Sequence, residues 1–202
     1  MQIIIANNSG FCFGVSRSVD LAKQALDSKK EKYTVGPLIH NPQLVEKLEK
    51  AGLKVISKEE ALEIKDSIIL IRAHGESADF KKALVENGNE ILDATCPVLM
   101  NIYKKIMKKE DEGYQVIIVG DRDHPEIKAM DSYLKDGIIV KNETEAKNIR
   151  CKKPIYVVSQ TTNRVDFYYN VANILKDNND SVVIENTICK ATENRQQAAK
   201  SL

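Results

Sequence analysis

The order of residues in this chain occurs twice, and that constrains the fold more than any other feature. His40 follows Cys12 at an offset of 28, and His124 follows Cys96 at the same offset. Val35-Gly36 returns as Val119-Gly120 at the same offset of 84, and His40-Asn41-Pro42-Gln43 is echoed by His124-Pro125-Glu126. Further on, Ser67 to Gly75 with Asp79-Phe80 lines up with Pro154 to Thr162 and Asp166-Phe167, at an offset of 87. Thr161 then stands where the first copy has His74. Each copy closes on an apolar run and a cysteine, Leu92-Asp93-Ala94-Thr95-Cys96 and Ile184-Glu185-Asn186-Thr187-Ile188-Cys189. A fixed period of this length marks a supersecondary unit used more than once.

Inside each copy, short apolar runs alternate with segments of helical period. Val15, Val19, Leu21, Ala22 and Leu26 recur near 3.6 spacing, as do Leu44, Val45, Leu48 and Leu53, and Phe80, Ala83, Leu84 and Val85 after Ser77. Strands are expected at Ile3–Ala6, Tyr33–Gly36, Ser67–Ile71 and Glu90–Leu92. Met1-Gln2-Ile3-Ile4-Ile5 reads as a buried strand, because it lacks the charged start and long apolar core of a signal peptide. Strands alternating with helices indicate α/β units with parallel sheets. The expected architecture is pseudo-symmetric: 1–96 as one unit, 97–189 as a second, and a helix at 190–202 that opens a third.

Composition narrows the function. The chain has 202 residues, a hydrophobic content of 43% and a net charge of +1, which excludes disorder and gives no support to a polyelectrolyte partner. No basic block or aromatic-interleaved patch suggests nucleic acid. Runs such as Ile68–Ile71 are far too short to span a bilayer. A cytoplasmic location is expected. In that compartment four cysteines point to metal binding, catalysis or packing rather than disulfides.

Cys12, Cys96 and Cys189 all fall at strand-to-helix junctions, where the helix dipole favours the thiolate. Pro97 fits the first turn after Cys96 because its missing N–H would have been unpaired anyway. No paired C-x2–4-C spacing of a structural zinc site is present, nor a ferredoxin-type run. Three converging thiolates suit a four-iron cluster with one iron left open as a Lewis acid. Three buried core cysteines are the plainer alternative. Cys151 is out of phase and reads as a thiol without a role.

The three histidines, His40, His74 and His124, all follow strands, at the edge where α/β sheets bind ligands. Imidazoles there can donate to phosphate and shuttle protons. Glu126 suits a proton relay or, equally, a first-turn carboxylate favouring the dipole. Thr161 and Thr162 offer hydroxyls; Asn194 and Gln196 are weaker candidates.

Gly10-Phe11-Cys12-Phe13-Gly14-Val15, His40-Asn41, Ala73-His74-Gly75, Asp93-Ala94-Thr95-Cys96-Pro97, His124-Pro125-Glu126, Ser159-Gln160-Thr161-Thr162 and Cys189-Lys190-Ala191-Thr192 with Asn194-Arg195-Gln196 occur in one order. In that order and approximate spacing the chain resembles the IspH (LytB) family of hydroxymethylbutenyl diphosphate reductases. The resemblance implies an iron–sulfur oxidoreductase of non-mevalonate isoprenoid synthesis. Such an enzyme reductively dehydroxylates an allylic diphosphate to isopentenyl and dimethylallyl diphosphate, with electrons from a ferredoxin- or flavodoxin-type donor. It implies a [4Fe-4S] cluster on Cys12, Cys96 and Cys189, and a diphosphate held by His40 and His74. His124 would bind substrate and pass on a proton, Glu126 would be the proton source, and Thr161 would hydrogen-bond near the hydroxyl. It also implies a third α/β unit, whose Ser-x-Asn loop and later serine have no counterpart up to Leu202. A non-enzymatic, redox-sensing module built on the same cysteines is the alternative.

Overall fold

The computed structural model describes residues 3–7 and 9–201; Met1, Gln2, Asn8 and Leu202 fall outside, and with them the ends of the expected first strand and last helix. The chain forms two compact units, one from Phe11–Met100 and one from Met1–Gly10 with Asn101–Leu202.

The N-terminal unit runs α1 (Phe13–Leu26), β1 (Lys32–Val35), α2 (Pro42–Lys50), β2 (Leu53–Ile56), α3 (Lys58–Glu63), β3 (Ile68–Ile71), α4 (Ala78–Glu86) and β4 (Glu90–Asp93). Its four strands pair in parallel in the order β2-β1-β3-β4. All four β3 residues are buried, as expected of a strand covered on both faces. The pleat explains how. Ile68 and Leu70 pack with Val19, Ala22 and Leu48 of α1 and α2, while Ile69 and Ile71 pack with Ala61 and Leu84 of α3 and α4. Local chemistry sets the helix starts. Asn41 caps α2 by accepting from the Leu44 amide at 2.9 Å, with Pro42 in the first turn, and Ser57 with Glu60 forms a capping box on α3.

After α5 (Pro97–Asp111) the pattern repeats: β5 (Gln115–Val119), α6 (Pro125–Asp131), β6 (Ile138–Val140), α7 (Glu143–Lys147), β7 (Ile155–Ser159), α8 (Val165–Asp177), β8 (Val182–Ile184) and α9 (Lys190–Lys200). The second sheet is again parallel, in the order β6-β5-β7-β8, and every residue of β5 and β7 is buried. Strand for strand this is the order of the first sheet, so the repeat in the sequence is a repeat in topology. The sequence reading of α/β units with parallel sheets holds.

Four expectations are corrected. Ile3–Ala6 is not a strand, and Ile3, Ile4 and Ile5 are 75%, 64% and 78% exposed. An apolar run forms a strand only against a neighbour that takes its backbone groups, and none pairs with it among the described residues. Leu53 is not on α2: Gly52, at a φ of 108°, ends that helix region and Leu53 starts β2. Val85 is 56% exposed, on the outer face of α4 rather than in the core. With no strand before α1 among the described residues, Cys12 opens a helix without standing at the expected strand-to-helix junction. No helix among the described residues is long and apolar enough to cross a membrane.

Candidate active site

The three histidines, Thr161, Cys96 and Cys189 each lie beyond the carboxyl end of a parallel strand, while Cys12 precedes α1 with no strand before it among the described residues. In the N-terminal unit the loops after β1, β3 and β4 carry His40, His74 and Cys96. In the C-terminal unit the loops after β5, β7 and β8 carry His124, Thr161 and Cys189. This is the edge where open α/β sheets present ligand groups.

In the N-terminal unit, Cys12 is the N-cap of α1 in extended conformation, and its side chain caps no amide. Gly14 follows in the first turn. A Cβ built there would stand 2.8 Å from Cys96 Sγ, so only glycine lets the Cys96 thiol lie against the start of the helix that Cys12 opens. Cys96 is positioned by its backbone: its amide donates to the Ala73 carbonyl at 3.0 Å and its carbonyl accepts from Met100 at 3.0 Å. The preceding loop is built on Asp93, whose carboxylate accepts the Thr95 amide at 2.9 Å, the Thr95 hydroxyl and Lys81 Nζ at 3.1 Å. Burial pushes the Asp93 carboxyl up, but Thr95 and Lys81 together outweigh it and hold the group below its ordinary value. Arg17 on α1 reaches the carbonyls of Asp93 and Thr95, each at 3.2 Å, and so ties the Cys96 loop to the Cys12 helix.

The His40 and His74 rings lie 4.8 Å apart between centroids, tilted by 58°. They share a cleft of about 180 Å³ with Phe11, Val15, Leu38, Ile39, Asn41 and Ala73. Two imidazoles at the mouth of an apolar cleft suit an anionic head with an apolar tail.

In the C-terminal unit, His124 is the N-cap of α6, and its Nδ1 accepts the Glu126 amide at 3.2 Å. That bond makes Nδ1 the acceptor and assigns the neutral ring's proton to Nε2. Glu126 is 2% exposed. The Thr161 amide donates to one carboxyl oxygen at 2.6 Å and the Thr161 hydroxyl pairs with the other at 2.7 Å. Burial raises the Glu126 carboxyl above its ordinary value, and the two bonds from Thr161 oppose this without cancelling it. The Thr161 carbonyl in turn accepts the Cys189 amide at 2.9 Å, and Cys189 is the N-cap of α9 with no side-chain cap.

The sequence reading missed three supporting residues. Gln160 is buried; its Oε1 accepts the Asp121 amide at 3.1 Å and its Nε2 donates to Thr162 at 3.0 Å, joining the His124 loop to the Thr161 turn. Asn163 donates to the Val119 carbonyl at 2.9 Å and to Ser159 Oγ at 3.1 Å. Arg17 is the third. Gln160 lies within the Ser159–Thr162 motif, which was its one visible signal; Asn163 and Arg17 gave none.

The sequence matches the family described as LytB protein over residues 3–202. The chain belongs to the LytB family. It is 38% identical over 206 residues to 4-hydroxy-3-methylbut-2-enyl diphosphate reductase from Caldanaerobacter subterraneus subsp. tengcongensis, covering 100% of this chain and 72% of that protein. The enzyme of the same name from Clostridium perfringens (strain 13) is 40% identical over 204 residues, again with 100% and 72% covered. Among solved structures, one of (E)-4-hydroxy-3-methyl-but-2-enyl diphosphate reductase, the terminal enzyme of the non-mevalonate pathway, superposes with a TM-score of 0.83 at 36% identity, covering 99% of this chain and 72% of that one. The E-1-hydroxy-2-methyl-but-2-enyl-4-diphosphate reductase from Plasmodium falciparum gives a TM-score of 0.89 at 28% identity, covering 97% and 63%.

The cysteines of this LytB chain fit a thiolate-bound cluster by their chemistry. Cys12, Cys96 and Cys189 are half-buried cysteines outside any disulfide, each at the start of a helix. Cys12 and Cys96 belong to one unit and Cys189 to the other. Among the described residues, no group of three or more His, Cys, Asp or Glu side chains is gathered tightly enough to hold a metal ion. Cys151 packs against the core of the C-terminal unit, where burial pushes its thiol up.

Proposed function

We propose that this LytB chain reductively dehydroxylates 4-hydroxy-3-methylbut-2-enyl diphosphate, the last step of the non-mevalonate route to isopentenyl and dimethylallyl diphosphate. The observation that carries the mechanism is the buried Glu126 carboxyl, paired to Thr161 at both oxygens. The alternative of a non-enzymatic sensing module is set aside, because the relatives are named as enzymes over the full span of this chain. The net change consumes two electrons and two protons: the allylic C–O bond breaks, one proton leaves with the hydroxyl as water, and the second is added at carbon.

Cys12, Cys96 and Cys189 are the residues that would hold a [4Fe-4S] cluster, which when bound supplies single electrons and a Lewis-acidic iron. His40 and His74 take the diphosphate in their cleft by donating N–H bonds to its oxygens. Glu126, kept protonated to higher pH by burial, supplies the proton for the departing hydroxyl. Thr161 serves as the relay: its hydroxyl faces Glu126 Oε2, so a proton leaving Glu126 can be replaced through Thr161 Oγ1 without moving the backbone. His124, with its proton on Nε2, binds substrate and passes on a proton. A ferredoxin- or flavodoxin-type protein supplies the electrons, and the reaction runs in the cytoplasm. The chain is read as repeated units at 1–96 and 97–189 followed by 190–202, a division supported by the equal strand orders of the two sheets.

The test is anaerobic preparation with iron and sulfide analysis, then turnover of the allylic diphosphate with a reduced dye. Iron and sulfide in equal amounts, together with formation of the two isomeric products, support the reading. Iron-loaded protein that leaves the substrate untouched overturns it.

A further inference from the structure

We infer that Arg72 is a positioning residue for the His40–His74 pair, setting both the spacing of their loops and the positive charge behind them. This rests on the reading of those histidines as the diphosphate site.

Arg72 follows β3 directly and opens the turn that carries His74, closed by the Gly75 amide donating to the Arg72 carbonyl at 3.0 Å. Its side chain is only 15% exposed. It folds back over Gly36: a Cβ added there would stand 2.9 Å from Arg72 Nη1. Gly36 has a φ of 70° and opens the loop that leads from β1 to His40. The guanidinium therefore belongs to the His74 turn by covalent connection and presses on the base of the His40 loop by packing. The three atoms nearest the Gly36 Cβ position all belong to the Arg72 guanidinium, so this side chain is the one that sets the approach of the two loops.

The charge around it is unbalanced. Glu76, 3% exposed, is the carboxylate beside it, with Oε1 at 3.9 Å from Arg72 Nη2. The other oxygen of Glu76 takes Lys58 Nζ at 2.5 Å. Two cations thus share one buried anion. Arg72 Nε is buried and has no hydrogen-bond partner among the described residues. A mostly buried cation with incomplete pairing lowers the cost of bringing an anion nearby, because at a given distance the Coulomb attraction is stronger in protein than in water. A diphosphate at His40 and His74 is the anion whose binding this charge favours.

The experiment uses cluster-loaded protein and inorganic pyrophosphate as the probe, read by calorimetry, alongside steady-state kinetics. Arg72→Met keeps the stem and removes the charge; Arg72→Lys keeps the charge. For Arg72→Met we expect pyrophosphate affinity to fall and KM to rise, each about tenfold, with kcat within about twofold of native and iron content unchanged. Arg72→Lys should recover part of the affinity. Combined with His74→Ala, Arg72→Met should add little further loss, because both act on one anion. Native affinity in Arg72→Met, or losses that add fully to those of His74→Ala, would overturn the inference. If His74→Ala and His40→Ala leave pyrophosphate binding unchanged, the diphosphate reading itself fails and the Arg72 role falls with it.

Discussion

The backbone amide of Cys189 donates to the carbonyl of Thr161 at 2.9 Å, just as the amide of Cys96 donates to the carbonyl of Ala73 at 3.0 Å beside His74. In each unit, then, the last cysteine is stitched to the loop that carries the polar group expected to meet substrate. The consequence is sharper in the second case. Thr161 uses its amide and hydroxyl on Glu126 and its carbonyl on Cys189, so one residue fixes the proton source relative to a thiolate expected to bind the cluster.

Thr161→Val removes the hydroxyl and keeps the amide bond to Glu126. Proton replacement through Oγ1 is lost, and turnover should fall by about 10²-fold with iron content unchanged. One of the two bonds that favour the ionised carboxylate also goes, so the Glu126 carboxyl should titrate at still higher pH. Carbon-13 NMR of labelled glutamate, beside the rate measurement, checks both.

Glu126 also gives a pH dependence of stability. Its folded value is raised by burial, so its contribution is fully present at low pH and lost as pH rises through that value. Glu126→Gln removes this dependence and can keep both bonds to Thr161. The variant should melt above native protein at mildly alkaline pH, with the difference closing as the pH is lowered into the acid range. Calorimetric melting across pH is the measurement, and a difference that grows toward acid would contradict the sign.

Gly14→Ala places a Cβ 2.8 Å from Cys96 Sγ. Something must shift, at a cost of about 1–3 kcal/mol for overpacking. Because the displaced atom is an expected ligand, iron retention should suffer more than the fold does. Iron content after desalting, compared with chemical denaturation of the same sample, separates the two effects.

Asp93 holds the turn before Cys96 through Thr95 and Lys81, and its carboxyl sits below its ordinary value. Such a group contributes stability above its unfolded pKa and loses it as pH falls through the folded one. Asp93→Asn should cost about 1 kcal/mol near neutral pH, a figure reduced for the partial exposure of the site. The penalty should vanish in acid.

The sequence conveyed the repeat because equal spacing survives in the chain: His40, His74, His124, Thr161, Cys96 and Cys189 follow strands as expected, whereas Cys12 opens α1 with no strand before it among the described residues. It did not convey β2 and β6. The three residues of β6 carry too little periodicity to register, and in β2 Leu53 fits the helical spacing of α2 until Gly52 is seen to end it. Ile3–Ala6 shows the converse failure, since an apolar run does not carry its own pairing partner. Glu126 was ambiguous between dipole and relay. Its burial and its two bonds to Thr161, on which the proposed proton role rests, depend on contacts 35 residues apart. Arg72 was invisible for the same reason: its meaning lies in Gly36 and Glu76.

The central claim is tested most directly by single-turnover conversion of 4-hydroxy-3-methylbut-2-enyl diphosphate in anaerobic, iron-loaded native protein and in Glu126→Gln at equal iron content. The account predicts product from native protein and, from the variant, a rate lower by about 10²-fold or more with substrate still bound. Equal rates from the two, or no product from iron-loaded native protein, would contradict it.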